Sequence, residues 1–96
     1  MPELWRIEEL FKLSDKYPSG LEWLQKKARY KKGDPVGRLN KSNGYYFVSI
    51  DNEEYMVHRI VYYLRTGYCP DKYCIKHNYR NKEKDNRLEL KPIFNT

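Results

Sequence analysis

Three chemistries are open to His77, one of only two histidines in the chain. It closes the apolar, strand-like run Tyr73-Cys74-Ile75-Lys76 and opens a polar loop rich in Asn, Lys and Arg, which leads into a second short run, Leu88-Glu89-Leu90. An imidazole so placed can take a proton as general base on a phosphodiester, bind a metal, or serve as an ordinary loop residue. The loop around it supplies Lys76, Arg80, Lys82, Lys84 and Arg87. A second cluster, Lys26, Lys27, Arg29, Lys31 and Lys32 with Tyr30 between them, is the densest in the chain. Lys and Arg give nucleic-acid binding most of its sequence-independent affinity. The plainer alternative is a solvated basic loop. Arg59 suits a phosphate or a carboxylate such as Glu54, and Asn81 and Asn86 suit turns.

Cys69-x4-Cys74-x2-His77, with His58 upstream, holds four zinc-competent side chains. Zinc takes four such ligands in a tetrahedron. The spacing is not that of a zinc knuckle, so two ordinary cysteines are the simpler expectation, and any zinc here would be structural. His58 is expected to pack or cap a helix rather than act as a base.

Composition bounds these readings. Ninety-six residues make one small domain. Hydrophobic residues are 40%, enough for a core, and the aromatics are ten Tyr, three Phe and two Trp. Tyr packs by its ring while its hydroxyl keeps a polar partner, so the core boundary should be amphipathic. Nineteen Lys and Arg against thirteen Asp and Glu give a net charge of +6. That excess favours an anionic partner, nucleic acid first. Two cysteines do not make a disulfide framework, no stretch reads as a secretory leader, and no apolar run approaches the ~20 residues of a membrane span. The expectation is a cytoplasmic protein with no membrane partner.

The elements that position these residues follow from periodicity. Residues 2–16 read as an amphipathic helix, with Pro2 and Glu3 at its start and Leu4, Ile7, Leu10, Phe11 and Leu13 along one stripe. It packs on the domain or docks a partner, with Trp5 and Phe11 as anchors. Residues 17–20 break the chain, and 21–24 are a strand or a turn of helix. A strand is expected over 36–39, a tight turn at Asn43-Gly44, and a β-hairpin from strands 45–50 and 54–57 around Asp51-Asn52. A helix follows over 58–66, stopped by Gly67, then a turn over 68–71. Lys91-Pro92 should stop any strand after Leu90. The fold class is α+β: an N-terminal helix (1–17), then a module (18–96) with a small antiparallel sheet, a central helix and the His77 hairpin.

From about residue 19 this order of elements resembles the HNH endonucleases of the His-Me finger superfamily, in their phage and homing form. The resemblance rests on Gly44-Tyr45-Tyr46, the 48–50 strand, Tyr55-Met56-Val57-His58-Arg59-Ile60-Val61, Gly67, Pro70, Ile75-Lys76-His77, Asn81 and Asp85-Asn86-Arg87-Leu88. It implies a ββα-metal hairpin in which His77 is the general base and Mg²⁺ stabilises the developing charge. It also implies an acidic metal ligand just before the histidine, an Asn after the Asp-Asn-Arg signature, and another ligand on a following helix. Here Lys76 stands in the acidic position, that Asn is missing, and Asn95 comes too soon to be on the helix. An ammonium has no lone pair for a metal. The expectation is a degenerate, C-terminally truncated metal site on a phage-derived protein that binds nucleic acid, DNA first. In that case Lys76, Lys82, Lys84 and Arg87 would line one phosphate-binding loop. One alternative is an active Mg²⁺-dependent nicking endonuclease, its ion held by Asp85, Glu83 or Glu89 or by a second subunit. The other is a small phage-type protein that inhibits a host protein in the host cytoplasm.

Overall fold

The computed structural model describes residues 2–68, 73–78 and 80–94. Cys69, Pro70, the rest of the expected 68–71 turn, and Asn95 lie outside the described residues. Helix α1 (Leu4–Leu10) leads directly into strand β1 (Phe11–Leu13), which pairs antiparallel with β2 (Leu21–Trp23). Strands β3 (Arg38–Leu39), β4 (Tyr46–Ile50) and β5 (Glu53–Met56) form a three-stranded antiparallel sheet. Helix α2 (Val57–Thr66) follows, and β6 (Tyr73–His77) pairs with β7 (Leu90–Phe94). The expected α+β class is the observed one, with its strands divided among three small sheets.

The N-terminal helix is shorter than its periodicity implies. Leu10 ends it, and Phe11 is extended at φ −127° and ψ 154°. A short helix is marginal by itself, so tertiary pairing can override propensity. Here Phe11 pairs with Trp23, Lys12 with Glu22 and Leu13 with Leu21. The Leu24 N–H donates to the Leu10 carbonyl, which satisfies a helix-end acceptor. Phe11 is buried, with its ring centroid 5.0 Å from that of Trp23. It is therefore a core residue and not a partner anchor. Full burial of such a ring stabilises the fold by about 2–3 kcal/mol. Trp5 does remain exposed, its indole N–H donating to the Glu3 carboxylate.

Of residues 21–24, open to either reading by sequence, Leu21–Trp23 form the strand β2, and all three are buried. The strand expected over 36–39 is confined to Arg38–Leu39, because Gly37 is pressed against the sheet at φ +94°. A Cβ there would stand 2.8 Å from Val57 Cγ2 and 3.0 Å from the Phe47 carbonyl oxygen, so only glycine allows this approach. The β4–β5 hairpin turns on Asp51 and Asn52 at φ +51° and +70°, conformations that suit a two-residue turn. Val48 and Ile50 point into the core, and Phe47 and Ser49 point outward.

Helix α2 begins one residue earlier than expected, at Val57, and stops at Gly67 as expected. It packs against β1, β4 and β6, burying Val57, His58 and the run from Ile60 to Tyr63. Pro92 does not stop the second strand of the last hairpin, which runs to Phe94 in register with Tyr73. A proline is tolerated in an edge strand whose nitrogen faces away from the ladder. Ile75 and Leu90 are buried, while Lys76 and Lys91 stand opposite each other, exposed. No helix among the described residues is long and apolar enough to cross a membrane.

Candidate nucleic-acid interface

His77 ends β6 half-buried, and its environment fixes its chemistry. Its Nε2 lies 2.6 Å from Asn86 Oδ1. Asn86 is 1% exposed and its Nδ2 donates to the Ser19 carbonyl at 2.9 Å. That carbonyl can only accept, so the amide group of Asn86 must face Ser19 and its oxygen must face His77. Nε2 therefore carries the proton and Nδ1 keeps the lone pair in the neutral ring. The Asn86 N–H donates to the Pro18 carbonyl at 2.8 Å, clamping the loop onto the 17–20 break. Gly20, at φ +82°, makes room: a Cβ there would lie 3.1 Å from Asn86 Cβ and from Val61 Cγ2.

Two further rings surround His77. His58 is buried on α2, 5.1 Å away between centroids, and Tyr45 is stacked on His58 at 5.1 Å. Burial, then the nearby His77 and Arg59 charges, push His58 down to about 4, against a weaker upward pull from its hydrogen bond to the Ile75 backbone. Its Nδ1 has no hydrogen-bond partner among the described residues. Burial also lowers His77, opposed by the Asn86 hydrogen bond, and Lys84 adds to the lowering. Both imidazoles are neutral at pH 7. His58 is thus a packing residue, as its position at the start of a helix suggested.

The loop cations divide. Lys84 folds over the Tyr45 ring at 3.8 Å and donates to the Asn43 carbonyl. Arg87 makes a two-pronged pair with Asp85, its Nε 2.9 Å from Oδ1 and a terminal nitrogen 2.6 Å from Oδ2, and it also donates to the Asp15 carbonyl. The Arg87 hydrogen bonds are the main reason that Asp85 titrates below its usual range. This corrects two expectations. Asp85 is committed to Arg87 rather than open to a metal, and Arg87 is largely neutralised rather than offered to phosphate. Asn81 closes the loop by bonding both the N–H and the carbonyl of Asp85.

Lys76 is also corrected. Strand alternation puts it on the outer face of the hairpin, away from His77, where its cross-strand neighbour is Lys91. It does not line the loop with Lys82 and Lys84. The same alternation places Cys74 on Lys76's side, so Cys74 and His77 do not converge on a zinc. No group of three His, Cys, Asp or Glu side chains among the described residues is arranged for a metal ion. Glu83 and Glu89 are both exposed, and among the described residues they do not gather with Asp85, which Arg87 holds, into a Mg²⁺ site.

Arg80 and Lys82 are exposed on the loop, and Arg59 lies close enough to His58 to lower it. The other cluster is elsewhere. Residues 26–32 fold into a narrow turn in which Lys27 and Tyr30 exchange both backbone hydrogen bonds. Lys27 lies 3.8 Å from Asp51, which also holds Arg6 at 3.4 Å. Asp51 follows β4 and Tyr45 precedes it, so the two clusters are about 15–20 Å apart at strand spacing. Lys26, Arg29, Lys31 and Lys32 remain exposed.

Sequence reasoning missed Arg65. It donates to the carbonyls of Leu88 and Asn86, the latter at 2.5 Å, and so props the loop from behind. Its only sequence signal is a cation in the last helical turn, where carbonyl acceptors gather. Tyr45 as a lid on both histidines was missed as well, since ring stacking across elements leaves no local pattern. No protein-family model, no curated protein and no solved structure matches this chain.

Proposed function

We propose that this protein binds nucleic acid, DNA first, by backbone phosphates, with His77 serving the architecture of the hairpin more than hydrolysis. The observation that carries the reading is the in-register pair Lys76 and Lys91, both exposed on the outer face of the last hairpin. Neither lysine has a carboxylate partner among the described residues. Like charges directly opposite on a sheet are unfavourable, and an anion laid across them removes the repulsion. The excess of +6 points the same way. Lysines on an open edge also discourage strand pairing, and salt dependence separates the two roles.

The test is fluorescence anisotropy on a short labelled duplex between about 50 and about 200 mM salt. Binding should fall steeply with salt. The double variant Lys76→Glu/Lys91→Glu should weaken it and lower the log–log slope by about 2, because each lysine that no longer neutralises a phosphate removes roughly one unit. Unchanged affinity and slope would end this reading.

A supercoiled-plasmid assay with Mg²⁺ or with EDTA belongs beside it. The fixed tautomer of His77 leaves Nδ1 as a base. Nicking that disappears in His77→Ala would replace the binding reading with an endonuclease. Neither binding nor nicking, with a protein retained by the wild type and lost by Trp5→Ala, would favour the exposed indole as a partner anchor.

A further inference from the structure

The geometry points to a nucleotide subsite on the outer face of the β3–β4 sheet, formed by Arg29, Tyr30, Arg38 and Phe47, which takes one unpaired base with its phosphate. It rests on the nucleic-acid reading and adds to it a strand preference that phosphate contacts alone do not give.

A groove of about 300 Å³ opens between the 26–32 turn and β4. That is at the lower end of the range for small-molecule sites, room for a single planar ring system. Arg38 and Phe47 are cross-strand neighbours and so share a face, and Ser49 follows Phe47 on it. Tyr30 closes the opposite wall. Its ring is held by stacking on buried Trp23, at 4.9 Å and 18° between planes, so it is a fixed platform rather than a loose side chain. The Arg29 guanidinium lies 5.7 Å from the same ring.

The cations here differ from those at Asp51. Arg29 and Arg38 are exposed and have no ion-pair partner among the described residues. Glu54, the carboxylate opposite Ser49 in register, does not line the groove. Two partly exposed aromatic rings with two unpaired arginines match the chemistry of single-strand recognition: bases stack on rings while guanidinium groups meet phosphate.

Backbone strain is a second, independent sign. Ala28, at the tip of the turn, sits at φ +51°, a conformation that a side chain makes unfavourable. Gly37 is pressed onto the Phe47 carbonyl and forms the floor. Gly37 is relaxed there, and of the two only Ala28 carries strain, of the kind that gathers at binding sites.

The experiment compares a labelled single-stranded oligonucleotide with the duplex of the same sequence, using wild type, Arg38→Gln and Phe47→Leu, each checked by thermal melting. Amide shifts on addition of AMP are recorded in parallel. The expected results are single-strand binding weakened on the order of tenfold in both variants, duplex binding changed much less, and AMP shifts centred on Tyr30, Arg38, Phe47 and Ser49. Equal losses for both substrates, or AMP shifts absent from these residues while oligonucleotides still bind, would overturn the subsite and leave the phosphate-binding reading intact. AMP shifts at these residues with no oligonucleotide bound at low salt would keep the subsite for free nucleotides and end the parent reading. No shift and no oligonucleotide binding would end both.

Discussion

At one end of β4, Asp51 collects Arg6 at 3.4 Å and Lys27 at 3.8 Å. At the other end, Tyr45 covers two neutral histidines and carries Lys84 on its ring. Both ends read as basic in the sequence. The Asp51 end is loosely held: Asp51 is 69% exposed on its side chain, and Lys27, whose Nζ is buried, lies beyond hydrogen-bond reach of its carboxylate. The His77 end is built around one buried amide. Asn86 bonds His77, Ser19 and Pro18, and its own carbonyl accepts Arg65. The difference shows that charge density does not mark the constrained site. The bonds gathered on one buried amide do, although His58 Nδ1 stays unpaired beside them, because taking a partner away from a buried hydrogen bond is costlier than losing a contact to an exposed carboxylate.

The largest effect that would sharpen this contrast is expected from Asn86→Ala. It strands the Ser19 carbonyl and His77 Nε2 in a buried place and opens a cavity, at about 3–4 kcal/mol. A melting temperature lowered by less than about 5 °C would show that the amide is not the keystone of this end.

Acid comes next. His58 is held at about 4 against an ordinary 6.5, so between those values the unfolded chain takes a proton that the folded one refuses. Stability contributed by the neutral ring is complete above pH 6.5 and falls as pH drops towards 4, by roughly 3 kcal/mol. His77, also lowered, acts in the same direction. Denaturant titrations at several pH values should show this acid loss in the wild type and a shallower one in His58→Phe. Identical slopes would break the assignment.

At the other end the effects should be small. Tyr17 donates its hydroxyl to the Gly33 carbonyl at 2.9 Å and tethers the basic turn, so Tyr17→Phe should cost about 1 kcal/mol by chemical denaturation. Asp51→Asn should cost about 0.5 kcal/mol or less, since the Asp51 side chain is 69% exposed and screened by solvent. By removing the negative charge beside Arg6 it should tighten duplex binding a few-fold at low salt, an effect that vanishes at high salt. A large stability loss from Asp51→Asn would erase the distinction between the two ends.

The sequence by itself determined the α+β class, the β4–β5 hairpin with its Asp51-Asn52 turn, the span of α2 to within a residue, and the delivery of His77 by a strand to a polar loop. These are local matters: period, turn chemistry and stop signals act over a few residues. Tertiary structure alone decided the rest. It cut α1 at Leu10, since pairing with β2 outweighed helical spacing that ran on through Phe11. It turned Lys76 away from His77 through the two-residue period of β6, and drew Asp85 into the grip of Arg87. It also brought Ser19, Arg65 and Asn86, far apart in the chain, to one point behind the imidazole. Side-chain partners across such separations depend on how the elements pack, and no spacing along the chain encodes them.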